Sequence, residues 1–333
     1  MRKTGKGHRA GLIISVIVAA VAVCVAVGFV LTCFFTARSL LDPPRKELSY
    51  DYIFDGIDEL GLICRGFSVP GLKNGDVLRG WFIPAQTEDE TLHETESDKT
   101  VIFSHNYESN REMNEISGMF LARTIAKAGY NVIVFDYSGC GESSGRQYTF
   151  GASESEELRL IVDYACGQLG QKHIALMGWG FGAAAAVNAG CPDGRVEVII
   201  ADSSYLDLET YLETQLQVWT GIEDRLFSSL TLFFIRSMSD LPPEKSSPLN
   251  SVRAASGKKL LFLHGDSDSV FPYSYSQTLA AEADNSNVSS VKIFSHTLHI
   301  YGYVEHRDDY EQTVLDFLGE YLGADDAGKA QEE

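Results

Sequence analysis

His173-Ile174-Ala175-Leu176-Met177, Gly178-Trp179-Gly180-Phe181-Gly182 and Ala183-Ala184-Ala185-Ala186-Val187-Asn188-Ala189 run consecutively in this chain, and their reading decides the fold. The first five residues form a short apolar run of the kind that makes a strand buried on both faces. The last seven read as a helix. Between them, alternate glycines allow a tight turn in which neighbouring backbones approach closely. A buried strand that turns straight into a helix is one unit of an α/β sheet.

Outward from this unit the same alternation recurs. Strands are expected at Thr100 to Ser104, Asn131 to Phe135, Val196 to Ala201, Lys259 to His264 and Ser290 to Phe294. Helices are expected to begin near Met113, Ser153, Phe181, Tyr273 and Asp308, the second fixed by a capping box between Ser153 and Glu156. Short apolar strands of this kind must be covered on both faces, which predicts a doubly wound, mostly parallel sheet flanked by helices. Ile63 to Val69 and Val77 to Ile83 read as an antiparallel pair, with Pro70, Gly71, Asn74 and Gly75 supplying the turn. The acidic stretch Glu88 to Lys99 lacks periodicity and reads as a surface loop. The interval 203–248 is too long for one crossover. It predicts a short helical cap, Leu206 to Trp219 and Leu226 to Met238, stopped by Pro242 and Pro243 over the edge where ligands bind in open α/β sheets.

Before the sheet lies Leu12 to Ala37, an apolar run without charge. At about 1.5 Å per residue it exceeds a hydrocarbon core of roughly 30 Å, and no small-x-small exit follows it. It reads as an uncleaved signal anchor, a transmembrane helix through the cell membrane. Arg2, Lys3, Lys6 and Arg9 flank its start, so the basic bias places the N-terminus inside and the rest of the chain outside the cytoplasm. The expected organisation is a basic flank (1–11), the anchor (12–37), a polar linker (38–60), one domain (61–322) carrying the cap, and an acidic tail (323–333).

The 333 residues carry a net charge of −19 and are 44% hydrophobic, ample for a full core. Residues 1–45 hold six basic side chains and one acid, leaving 21 basic against 45 acidic residues in the remainder. So acidic a globular part is repelled by phosphates, which excludes nucleic acid as a partner. Cys64, Cys140, Cys166 and Cys191 lie beyond the anchor without metal or redox spacing; buried free thiols are expected, although a disulfide is allowed outside the cell. Nothing in the sequence calls for a cofactor or a metal.

The glycine turn resembles the nucleophile elbow G-x-S-x-G, with Gly180 where the serine stands. Ile102-Phe103-Ser104-His105-Asn106-Tyr107 resembles the H-G-x segment that follows the first central strand of α/β-hydrolases, with Asn106 in place of glycine. Val134-Phe135-Asp136-Tyr137-Ser138-Gly139-Cys140-Gly141-Glu142-Ser143-Ser144-Gly145 is similar to the D-x-R-G-x-G-x-S-x-G loop, where Ser143 and Ser144 are turn residues. Leu261 to Pro272 resembles H-G-x-x-D-x-x-V-P. Together these matches identify the α/β-hydrolase superfamily, most like its serine-aminopeptidase-like and dienelactone-hydrolase-like bacterial members.

The resemblance implies ester or amide hydrolysis, with Asp268 as the acid and His299, rather than His296, as the triad histidine. Asp266 is then a turn-forming side chain. The backbone N–H groups of Tyr107 and Phe181 are the implied oxyanion donors. Gly180 supplies no nucleophile, and three readings remain open. The chain is a pseudoenzyme that binds or interacts; it uses Asp268 and His299 to activate water; or it is an inactive variant of an active hydrolase. Cys140, Ser203 and Ser204 are the weighed substitutes for the nucleophile, each more simply a structural residue. Trp219, Phe227, Phe233, Phe234 and Met238 of the cap either pack on the domain, line a pocket for a small acyl, ester or peptide ligand, or touch lipid. The sequence names no protein partner.

Overall fold

The computed structural model describes residues 4–49, 62–88, 92–222, 224–239, 245–283 and 286–323. Much of the expected linker, the acidic tail beyond 323, and Pro242 and Pro243 lie outside these residues.

Eight strands form the main sheet. They are β1 (Arg65–Pro70), β2 (Val77–Ile83), β5 (Lys99–Ser104), β6 (Asn131–Asp136), β7 (His173–Trp179), β8 (Val196–Asp202), β9 (Lys259–Gly265) and β10 (Val288–Phe294). Their order across the sheet is β1-β2-β6-β5-β7-β8-β9-β10. The β1–β2 and β2–β6 pairs are antiparallel; every other pair is parallel. Side chains alternate across a strand, and the two cores follow from that. Val101, Phe103, Val132, Val134, Ala175 and Met177 enter one core, while Ile102, Ile133, Ile174 and Leu176 enter the other. The first is covered by α2 (Gly118–Lys127) and the C-terminal helix Arg307–Tyr321, the second by α3 (Ala152–Gly167) and α4 (Phe181–Gly190).

Four local differences from the sequence reading have physical causes. The Glu88–Lys99 stretch is not all loop, because β3 (Gln86–Glu88) and β4 (Leu92–Glu94) pair as a small antiparallel ribbon. The helix expected near Met113 is a 3-10 turn at Asn114–Ile116 followed by α2, since Met113 and Ser117 both take left-handed conformations that interrupt a continuous helix. The start of α3 is set two residues earlier than the Ser153/Glu156 box. The Glu154 carboxylate accepts the Gly151 and Thr149 N–H groups, each at 2.8 Å, while Glu156 pairs with Arg159 on the surface. An additional helix, α7 (Pro248–Ala254), starts at the Ser247 cap. The cap helices are α5 (Leu208–Thr220) and α6 (Arg225–Met238), N-capped by Asp207 and Asp224.

The apolar N-terminal run lies in α1 (Thr4–Leu41), and its Gly11–Leu41 part is long and apolar enough to cross a membrane. Its C-terminal turns do not stand free. Cys33, Ala37 and Leu41 are buried, and the rings of Phe29 and Phe34 meet those of Phe227 and Phe234 on α6, centroids 6.2 and 5.4 Å apart. Beyond α1, the Arg45 guanidinium donates to the carbonyls of Gly141 at 2.9 Å and Gly145 at 3.0 Å, strapping this segment across the loop after β6.

Candidate active site

At the end of β7 the chain turns through Gly180, with φ 57° and ψ −118°, into α4. That backbone is the strained elbow conformation, kept although the residue lacks a side chain. The flanking glycines are required by contact: a Cβ on Gly178 or Gly182 would lie 2.3 Å from the Gly182 carbonyl oxygen or 2.2 Å from that of Ser104. The Gly180 N–H donates to the Asp202 carbonyl at 2.9 Å, fastening the turn to β8.

Space above Gly180 is taken by Asn106. A Cβ at position 180 would meet Asn106 Oδ1 at 2.3 Å, and the same Oδ1 accepts the Phe181 N–H at 3.0 Å. The Asn106 backbone is held from beneath by His105, which is buried. His105 Nε2 accepts the Tyr137 N–H at 3.2 Å, so Nδ1 carries the proton and donates to the Asn106 carbonyl at 2.8 Å. Burial pushes the His105 imidazole below its usual range, in keeping with a neutral ring.

Asp268 and His299 are brought together. His299 Nδ1 donates to Asp268 Oδ2 at 2.7 Å, leaving Nε2 as the lone-pair nitrogen. Oδ2 also accepts from His264 Nε2 at 3.0 Å, while Oδ1 accepts the Val270 and Phe271 N–H groups at 2.7 and 2.9 Å. Burial alone would raise the Asp268 pKa. Hydrogen bonds from His264 and His299, electrostatic attraction to the His299 ring and the Phe271 N–H outweigh it and hold the carboxyl well below the usual range. His296 and Asp266 stand apart from this pair: the exposed Asp266 Oδ1 accepts the His296 N–H at 2.6 Å and shapes a turn.

Aromatic rings close over the elbow. Phe181 has Phe150 and Phe271 each at 5.4 Å, Tyr205 and Tyr211 each at 5.8 Å, and Tyr107 at 6.0 Å between centroids. Phe271 in turn meets the His299 ring at 5.0 Å. Tyr107 has a second role, because its hydroxyl donates to the Leu40 carbonyl at the end of α1, 2.9 Å away. A cavity of about 940 Å³ lies nearby, between the end of α1, Met238 and the 138–147 loop, and includes none of Gly180, Asp268 and His299 in its walls.

None of the weighed substitutes is an activated nucleophile. Cys140 is buried, and desolvation together with Asp136, Glu154 and Glu157 pushes its thiol far above the reactive range. The Ser203 hydroxyl donates to Asp202 Oδ1 at 2.9 Å, and that of Ser204 to the Tyr205 carbonyl at 3.0 Å. Ser143 and Ser144 are turn residues, accepting the Arg79 and Val77 N–H groups at 2.9 and 2.6 Å. All six cysteines are free thiols. Among the described residues, no three or more His, Cys, Asp or Glu side chains are grouped to hold a metal ion.

Sequence reasoning missed the side chains of Asn106 and His264. The signal for Asn106 was present: two departures from the family pattern, larger at 106 and smaller at 180, compensate each other in volume.

A sequence profile described as the alpha/beta hydrolase fold matches residues 99–219. With the strand order of the main sheet, this gives the chain the α/β-hydrolase fold. Among sequence relatives, the uncharacterized protein YqkD of Bacillus subtilis (strain 168) is 22% identical over 308 residues, covering 90% of this chain and 94% of the relative. The uncharacterized protein YfhR of Escherichia coli (strain K12) is 23% identical over 252 residues, covering 74% and 78%. Among solved structures, an esterase of Pyrococcus furiosus superposes with a TM-score of 0.66 at 21% identity, covering 85% of this chain and 100% of that one. The acylaminoacyl peptidase of Pyrococcus horikoshii gives 0.59 at 15% identity, covering 78% and 42%. At these identities the structural matches speak for the fold.

Proposed function

We propose that this chain is a membrane-anchored α/β-hydrolase-fold protein that works as an extracytoplasmic binding or interaction module and not by acyl transfer. The observation that carries this reading is Asn106 Oδ1, which takes the Phe181 N–H and the volume a residue-180 side chain would need. Loss of a serine nucleophile costs about six decades of turnover in a studied protease, and loss of one oxyanion donor roughly 10²–10³. A serine at 180 would require the Asn106 amide to leave the Phe181 N–H. The long apolar α1 and the basic residues before it support the anchored, outward-facing arrangement.

A second reading rests on the Asp268–His299 pair, in which Asp268 orients an imidazole able to activate water. Purified full-length protein separates the two when tested with short acyl esters and a fluorophosphonate probe. The binding reading expects no labelling and no turnover above a blank. Turnover that disappears in His299→Ala would replace it with the water-activation reading.

A further inference from the structure

Two regions of exposed apolar side chains meet on this molecule. The first is α1 itself, whose residues Leu12 to Val27 have no protein cover. The second lies on the cap, where Val218 is 70% exposed, Leu226 66% and Phe233 56%, with Ile222 in the turn between them. Isolated exposed leucines need no explanation, but a cluster adjoining a membrane-crossing helix does.

The geometry places both at one level. Phe29 of α1 meets Phe227 of α6, and Phe34 meets Phe234, so the two helices run in the same direction. The α5–α6 turn therefore sits beside Phe29, at the end of α1 that faces its free segment. From Leu12 to Phe29, at about 1.5 Å per residue, α1 covers about 27 Å, close to a hydrocarbon core of roughly 30 Å. From Val30 onward α1 becomes progressively covered by α6, with Cys33, Ala37 and Leu41 buried. The membrane boundary thus falls near Phe29, and the apolar tip of the cap falls there with it.

We infer that the cap is a lipid-contacting element. Val218, Ile222 and Leu226 enter the outer boundary of the bilayer beside α1, and Phe233 lies at headgroup depth, as the apolar face of an interfacial helix does. The occupant of this face is the bilayer and not a second copy, because the uncovered segment of α1 begins at the level of the same turn. The Tyr107–Leu40 hydrogen bond is eleven residues beyond Phe29, so the Tyr107 hydroxyl stands about 17 Å above the boundary at about 1.5 Å per residue.

This inference rests on α1 spanning a bilayer, and one experiment separates the two. Full-length protein carrying Trp219→Phe is reconstituted in phosphatidylcholine vesicles with or without bromine on the acyl chains. A reporter is placed by Val18→Trp on α1, Leu226→Trp on the cap, or Val291→Trp on exposed β10. The expected result is loss of most of the reporter emission at 18 and 226 in brominated vesicles, with none at 291. Quenching at 18 without quenching at 226 overturns the cap inference and leaves the anchor standing. Absence of quenching at 18 overturns both. An unquenched Leu226→Trp whose emission shifts with protein density assigns the face to a second copy and equally overturns it.

Discussion

Asn106 Oδ1 accepts the Phe181 N–H at 3.0 Å while lying 2.3 Å from the place of a residue-180 Cβ. One amide oxygen thus takes both the backbone donor and the side-chain space of the elbow.

Gly180→Ser by itself is expected to be destabilised and to remain unlabelled by a fluorophosphonate. The positive φ costs about 1–3 kcal/mol, and the contact obliges the Asn106 amide to turn away and give up the Phe181 N–H. Asn106→Gly combined with Gly180→Ser removes the contact and frees the Phe181 N–H. The double variant is expected to label and to hydrolyse short esters, through Asp268 and His299. Equal labelling of the single and double variants would show that Asn106 is no obstruction.

Glu157 makes stability fall as pH rises. Burial pushes its carboxyl up to about 7, only partly offset by the Ser138 contacts and reinforced by the Glu154 and Asp76 charges. The unfolded value is about 4.3. A raised folded value means the contribution is complete below about 4.3 and lost as pH rises through about 7. Glu157→Gln is expected to flatten the decline in urea midpoint between pH 4.5 and 8; an unchanged slope would assign the decline elsewhere.

Asp268 has the opposite sign. Its folded value is lowered, so its contribution is present above about 3.9 and is lost as pH falls toward the lower folded value. Asp268→Asn is expected to lower the thermal midpoint more at pH 7 than at pH 3, with part of the loss persisting at pH 3 because the folded carboxyl is still ionised there. Equal losses at both pH values would point to packing instead of charge.

The Tyr107 hydroxyl joins the elbow region to the end of α1. Tyr107→Phe removes one hydrogen bond to the Leu40 carbonyl, a loss of about 0.5–1.5 kcal/mol. A lower urea midpoint with preserved near-ultraviolet dichroism is expected, and a midpoint unchanged within error would count against the tie.

Thiol chemistry gives an independent check on burial. Desolvation pushes Cys64 and Cys191 each up to about 12 and Cys140 well above its usual value. Maleimide at pH 7.5 is expected to leave the buried Cys140 and Cys191 unmodified in the native protein, to react slowly at the half-buried Cys64, and to modify all three after denaturation. Rapid native labelling at Cys140 would reopen its reading as a nucleophile.

Several parts of the site were legible as local chemistry. The elbow glycines, the Leu261–Pro272 segment and the last strand before His299 each carry their meaning within about a dozen residues, and their order along the chain conveys the architecture. The α3 cap was misread because Ser153 and Glu156 match the motif in spacing while Glu154 holds the backbone donors. The ribbon β3–β4 was missed because its pairing, not its composition, makes it a strand.

The sequence by itself determined the alternation of strands and helices, the absence of a side chain at 180, and a run long enough to cross a membrane, because each depends on residue identity and near-neighbour periodicity. Tertiary structure alone decided that Asn106 closes the elbow from 75 residues away. It also decided that Glu157 resists ionisation and that the end of α1 docks on the cap. Those depend on distance through space and on exclusion of water, and neither is written in the local order of residues.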